Sequence, residues 1–247
     1  MLHPWALKNR VQGNNPGDRN MEKTLISGAS RGIGLEFTKQ CLARGDQVVA
    51  CCRNPAEAGQ LASLAGPNLT VVELDVSDSI SIETLPDRLP ELTYSLFINN
   101  AGIYGQSQSL DQADPDEWLR IFRVNTIAPL LVTRALLPRM STSGDARLVY
   151  LSSRMGSIAE NTSGGTYVYR SSKTALNQVV KSLALDLAGR GMAVAALHPG
   201  WVQTDMTGPN ALIDTRTSVK GLMAVIDALT LEKSGRFYNY DGSEIPW

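Results

Sequence analysis

The stretch Thr24-Leu25-Ile26-Ser27-Gly28-Ala29-Ser30-Arg31-Gly32-Ile33-Gly34 decides the fold. Thr24-Leu25-Ile26 predicts a short buried strand, and the glycine-rich run after it predicts a tight turn into a helix reaching about Arg44. Glycines at 28, 32 and 34 let the backbone turn sharply and come close to a bound group. The helix opening there directs unpaired N–H groups and the positive end of its dipole at the same point, which suits an anion. In an α/β chain this strand, turn and helix form a dinucleotide-binding unit with the pyrophosphate on the helix N-terminus. A tight turn with no ligand is the plainer alternative.

Outward from this unit, apolar runs alternate with helical patterns. Strands are predicted at Gln47–Cys52, Leu69–Leu74, Tyr94–Asn99, Arg147–Ser152, Met192–Leu197 and Arg236–Tyr240, with a helix over about Asp116–Met140. Continuously apolar strands spaced by helices predict a buried parallel sheet. No repeat or linker interrupts residues 21–247, which read as one dinucleotide-binding and catalytic domain. Residues 1–20 differ: Pro4, Gly13, Asn14, Asn15, Pro16 and Gly17 break any periodicity, and the apolar run of a secretory signal is missing. They are expected to form a disordered N-terminal extension.

Composition excludes other classes. Of 247 residues 43% are hydrophobic and 19% charged, enough for a sizeable core and unlike a disordered chain. A net charge of −1 with no Lys/Arg run gives no nucleic-acid surface. The longest charge-free stretch, Leu92–Leu110, carries Asn, Ser, Gln and Gly and predicts no membrane span. The three cysteines, Cys41, Cys51 and Cys52, make neither a disulfide framework nor a CxxC metal pattern, which fits a reducing, cytoplasmic setting. Cys51 and Cys52 alternate along a strand, so one of them is expected in the core. With only His3 and His198, no His-based metal site is expected.

The end of the second strand tests which dinucleotide is bound. A carboxylate there would take the ribose hydroxyls of NAD(H). The chain reads Ala50-Cys51-Cys52-Arg53-Asn54, without one. Arg53, and Arg31 in the glycine turn, can instead face a 2′-phosphate, because a guanidinium donates paired hydrogen bonds and stays charged. This favours NADP(H) over NAD(H), against the plainer reading of two solvated surface arginines. Asp75-Val76 after the third strand can position an adenine ring, or Asp75 can serve as a turn or cap residue. Asn99-Asn100-Ala101-Gly102 ends the fourth strand with small residues that let backbone pack beside a cofactor.

Tyr169 and Lys173 lie four residues apart on a predicted helix, hence on one face. An ammonium near a phenol stabilises phenolate, so the spacing predicts a lowered Tyr169 pKa and a tyrosine fit for acid/base work on a carbonyl or alcohol oxygen. Tyr167 has Ser171 at that spacing and lacks such a partner. Alone, the pair reads as a surface contact; Ser152-Ser153 at the end of the fifth strand supports it, since ligands of open α/β sheets bind at strand C-termini. Asn125 stands out within Val124, Ile127, Leu130 and Leu131, expected to face the core; a buried amide there needs partners. His198, before Pro199, reads as a structural turn residue.

The ordered set Gly28/Gly32/Gly34, Asn100-Ala101-Gly102, Asn125, Ser153, Tyr169-x-x-x-Lys173 and Pro199-Gly200 resembles the short-chain dehydrogenase/reductase family from about Met21 onward. Ser163-Gly164-Gly165-Thr166-Tyr167, His198-Pro199-Gly200-Trp201-Val202 and Tyr240-Asp241-Gly242 resemble its branch of sniffer-type carbonyl reductases and C-factor-like proteins. The resemblance implies a Rossmann-type doubly wound parallel sheet of about seven strands, order 3-2-1-4-5-6-7, with helices on both faces. It implies Tyr169 as general acid/base, Lys173 holding the nicotinamide ribose and lowering the Tyr169 pKa, Ser153 on the substrate oxygen and Asn125 holding a relay water. Cofactor contacts implied are Gly28, Ser30, Arg31, Gly32, Ile33, Gly34, Arg53, Asp75, Val76, Asn100, Ala101, Gly102, Tyr169, Lys173, Pro199, Gly200, Val202 and Thr204. The interval of 16 residues from Ser153 to Tyr169 leaves open whether Ser152 or Ser153 faces the substrate. The helix stripe Leu176, Val179, Val180, Leu183 and Leu187 is core by default and, by resemblance, in part a homodimer or tetramer face. The expected activity is hydride transfer between NADP(H) and a small carbonyl or alcohol substrate. The alternative is a non-catalytic NADP(H)-binding regulatory or signalling protein. Residues 157–166 and 205–219 are expected to select the substrate.

Overall fold

The computed structural model describes residues 21–106 and 109–247; the disordered extension expected over residues 1–20 lies outside them. Among the described residues, β1 (Lys23–Ser27), β2 (Gln47–Cys52), β3 (Leu69–Glu73), β4 (Leu96–Asn99), β5 (Arg147–Leu151), β6 (Ala193–His198) and β7 (Arg236–Asn239) form one sheet. Its order is β3-β2-β1-β4-β5-β6-β7, every pairing parallel. This is the doubly wound order expected. The chain reverses direction across the sheet between β1 and β4, which opens a crevice at the strand C-termini. Tyr94, predicted to open β4, forms only an isolated bridge to Met140.

Helices α1 (Gly32–Ala43) and α8 (Thr215–Asp227) cover one face, with the short α2 (Gly59–Ala62). Helices α6 (Ala128–Leu136) and α7 (Tyr167–Ala188), with the short α3 (Ser79–Glu83) and α4 (Leu85–Arg88), cover the other. Successive strand residues point to opposite faces, and the core divides accordingly. Leu25, Val49 and Phe97 pack with Val132, Leu176 and Val180. Ile26, Ala50 and Ile98 pack with Phe37, Leu222 and Ile226. Cys51 and Cys52 correct the sequence reading: both are buried, one on each side, because both faces are covered. The α7 stripe of Leu176, Val180, Leu183 and Leu187 is core, with Val179 packed against it.

The helix expected over 116–140 is interrupted. Helix α5 (Pro115–Phe122) runs into a π-helical turn at Arg123–Ile127, then α6, then a tight turn at Leu137–Arg139. The wider π turn shifts the register of the helix face. Ile127 and Leu130, expected to face the core, are therefore 49% and 43% exposed, while Asn125 is fully buried. Over Pro115–Arg139 the chain is long and apolar enough to cross a membrane by composition alone, yet half of that window is buried within the protein.

Candidate active site

The glycine turn is built against the loop that follows β4. Gly28 has φ +68°, and a Cβ there would stand 2.8 Å from the Ala101 Cα; a Cβ on Gly34 would stand 2.1 Å from the Gly28 carbonyl oxygen. Asn100 Nδ2 donates to the Gly28 carbonyl at 2.8 Å, and Ser27 Oγ accepts from the amides of Asn100 and Ala101. The N-terminus of α1, preceded by Ser30 and Arg31 and followed by Ile33, has no side-chain cap and no acidic residue in its first turn. Its N–H groups are left for an anion. Thr204 lies over this turn, its Cγ2 at 3.5 Å from where a Gly32 Cβ would be. Pro199, Gly200 and Val202 lead to it from β6, Val202 bridging to Ile213.

The residues that follow β2, Arg53 and Asn54, carry no carboxylate and are exposed, while Glu73 of the neighbouring β3 pairs in register with Cys52. Arg31 is exposed as well, 3.5 Å from Asp205. Asp75 takes the turn role: its Oδ1 accepts from the Ser77 amide at 2.8 Å and hydroxyl at 2.7 Å. Contact with an adenine would fall to its other oxygen. Val76 packs partly against the core beside it. An uncapped helix terminus over a glycine turn fits the pyrophosphate of a dinucleotide.

At the chemical end the two serines have different partners. Ser152 Oγ donates to Asn177 Oδ1 at 2.6 Å, inside the core. Ser153 Oγ accepts from the Met155 amide at 3.2 Å and is hydrogen-bonded to Tyr169. Tyr169 and Lys173, one turn apart on α7, are only 8% and 5% exposed. Lys173 Nζ lies 5.9 Å from the Tyr169 ring centre and donates to the Leu151 carbonyl at 2.8 Å.

At Tyr169 and Lys173 burial is the largest influence on the pKa. Burial pushes Tyr169 up to about 12; the Ser153 hydrogen bond works against this and the nearby Tyr104 phenol adds to it. Burial likewise brings Lys173 down to about 8. Desolvation is the largest cause for both groups, and it displaces each toward its neutral form. Tyr169 is a protonated phenol at neutral pH.

Asn125 is committed to protein partners. Its Oδ1 accepts from the Ile103 amide at 2.9 Å, and its Nδ2 donates to the Ile103 carbonyl at 2.8 Å and to Ser172 Oγ at 3.1 Å. Ser172 Oγ in turn donates to the Tyr169 carbonyl. With both N–H bonds spent, a relay water at Asn125 is left with acceptors only. Two residues were missed from sequence. Asn177 lies eight residues past Tyr169 and four past Lys173, the same face of α7, a spacing that was there to be read. Tyr104, two residues past Gly102, has its ring 4.7 Å from that of Tyr169. His198 is half-buried and brought down to about 4, chiefly by desolvation, with Arg154 adding to the effect and Asp241 working against it. It is neutral at pH 7.

Residues 22–212 match the family model of the short chain dehydrogenases. The chain belongs to that family. It is 47% identical over 152 residues to the C-signal protein of Myxococcus xanthus, a match covering 62% of this chain and 92% of that one. Its structure is similar to that of the carbonyl reductase Sniffer of D. melanogaster, with a TM-score of 0.88 and 33% identity over 92% of this chain and all of that one. It is also similar to the NADPH-bound carbonyl reductase from chicken fatty liver, with a TM-score of 0.86 and 34% identity over 93% of this chain and all of that one. As a short-chain dehydrogenase the protein is an oxidoreductase served by a nicotinamide cofactor.

Proposed function

We propose that the protein is an NADP(H)-dependent carbonyl reductase acting on a small aldehyde, ketone or quinone. The observation that carries this reading is a buried Tyr169 hydrogen-bonded to Ser153, one helical turn from Lys173, at the strand ends beside the glycine turn. A phenol held in this way can give a proton to a carbonyl oxygen or take one from an alcohol. The nicotinamide, when bound, supplies the hydride to the carbonyl carbon. Ser153 Oγ orients the carbonyl oxygen, and Tyr169 Oη delivers the proton to it as the C–O double bond becomes single. Lys173, its ammonium already tied to the Leu151 carbonyl, has further N–H bonds for the ribose. The relay that the family resemblance implies, through Lys173 and a water near Asn125, would return the proton to Tyr169. Arg31 and Arg53, with the missing acid after β2, support NADP(H), as does the NADPH in the chicken reductase. Self-association into a homodimer or tetramer belongs to the same proposal.

The test is consumption of NADPH and NADH by the purified protein against aldehydes, ketones and quinones. Turnover is expected with NADPH preferred. Tyr169→Phe is expected to lower kcat by about 10²–10⁴-fold, the usual worth of a general acid, and to leave NADPH binding intact. A Tyr169→Phe protein as active as the parent would remove the mechanism. The likeness to C-signal favours a second reading, a dinucleotide-binding regulator. Pure binding requires no acid/base tyrosine, and the complete Asn125, Ser153, Tyr169 and Lys173 set argues against it. Tight NADPH binding with no turnover on any carbonyl would favour it.

A further inference from the structure

We propose that Tyr104 is a positioning residue for Tyr169: its ring holds the Tyr169 ring in place against Ser153 and keeps water from that side of the phenol. The inference rests on the reading of Tyr169 as proton donor. The two rings lie 4.7 Å apart at an interplanar angle of 47°, within the range of a favourable aromatic pair. What singles out Tyr104 is how tightly the fold holds its backbone, although it sits in the loop after β4. On one side Asn125, fully buried in the π turn, clamps Ile103 through both amide and carbonyl. On the other, Gly105 turns the chain at φ +85°, and the Gln106 amide donates to Glu117 Oε1 at 2.7 Å. Glu117 is on α5, whose Trp118 Nε1 donates to Ser171 Oγ on α7, so the same helix anchors the loop and braces the helix carrying Tyr169.

The arrangement gives the buried Asn125 amide a use that its own contacts leave unexplained. It shapes no strand and caps no helix; it fixes the residue before Tyr104 and, through Ser172, the carbonyl of Tyr169. The groups facing the Tyr169 phenol are the Ser153 hydroxyl after β5, the Tyr104 phenol after β4 and, along α7, the Lys173 ammonium. Taking away the Tyr104 ring would let water reach the phenol and remove a second phenol from its neighbourhood. Both changes ease its ionisation.

The test compares Tyr104→Ala with Tyr104→Phe, which keeps the ring and drops the hydroxyl. For Tyr104→Ala, kcat for carbonyl reduction is expected to fall about tenfold, the upper end for loss of an aromatic pair, with the Kd for NADPH unchanged. Its kcat/KM is expected to be lost at lower pH than in the parent protein, because the protonated phenol is depleted sooner as pH rises. Tyr104→Phe should recover at least half of the lost kcat and most of the profile. Ultraviolet titration of each protein against its Tyr169→Phe counterpart reads the Tyr169 midpoint without turnover, and it should drop in Tyr104→Ala. Should Tyr104→Ala fold poorly, Glu117→Ala loosens the same loop from outside and should move kcat and the titration in the same direction by a smaller amount. An unchanged Tyr169 midpoint with unchanged kcat in these variants overturns the proposal, as does a Tyr104→Phe protein no better than Tyr104→Ala. A Tyr169→Phe protein that still turns over would instead overturn the parent reading.

Discussion

Burial at single residues sets the protonation of this site. Tyr169 is pushed up to about 12, Lys173 down to about 8 and His198 down to about 4, each with desolvation as the largest cause. For His198 the consequence is a stability that depends on acid. Its folded value lies below the usual 6.5, so the unfolded chain takes up the proton first as pH falls. The stability linked to neutral His198 is therefore fully present above about pH 6.5 and is lost on acidification toward pH 4, by on the order of 3 kcal/mol across that window. Among the described residues its Nδ1 has no hydrogen-bond partner, and of the nearby charges Asp241 favours the protonated form while Arg154 opposes it. Urea unfolding at pH 7 and pH 4.5 should show His198→Gln losing less stability between the two than the parent protein. Equal losses would place the acid sensitivity on other groups.

Among the elements, the glycine turn carries the sharpest steric demand. A Cβ at Gly34 would lie 2.1 Å from the Gly28 carbonyl oxygen and 2.5 Å from Asn100 Nδ2, a clash that only a shift of α1 or of the turn can relieve. Gly34→Ala is expected to cost about 2–4 kcal/mol, as overpacked and strained backbone positions do, and to abolish dinucleotide binding. Denaturant unfolding and a binding titration read the two effects; a variant of parental stability that binds NADPH would show that the turn has room. This turn was legible in sequence because only glycine meets its geometry, and the strands were legible because both faces of a parallel sheet are covered, so their apolar runs are unbroken. The element that escaped was the π turn. Arg123–Ile127 reads as ordinary helix, and nothing in its residue types marks the extra residue that turns Leu130 outward and Asn125 inward. The partners of the two serines, Asn177 for Ser152 and Tyr169 for Ser153, are long-range contacts that sequence spacing alone does not show. The Tyr169 protonation state escaped for a related reason: spacing shows that Lys173 is near, whereas burial is a property of the whole fold.

At the scale of the molecule, a net charge of −1 gives no long-range field to draw in a dinucleotide carrying several negative charges. Attraction must come from the local set, the uncapped start of α1 with Arg31 and Arg53. A ligand that binds only the folded state stabilises it by about 2.7 kcal/mol at one hundred times its Kd. For a chain of this size that is a rise in Tm of roughly 5–10 °C. At equal concentration NADPH is expected to raise Tm several degrees more than NADH, because the additional phosphate finds two guanidinium groups. Arg31 must first leave Asp205, but that pair is exposed on both sides, and such pairs are worth less than about 1 kcal/mol. Replacing Arg31 and Arg53 together by Ala should bring the NADPH shift down to the NADH shift and leave the NADH shift in place, since the helix terminus and the glycine turn are untouched. Equal shifts in the parent protein, or a gap that survives the double substitution, would remove the phosphate reading while leaving the dinucleotide site itself standing.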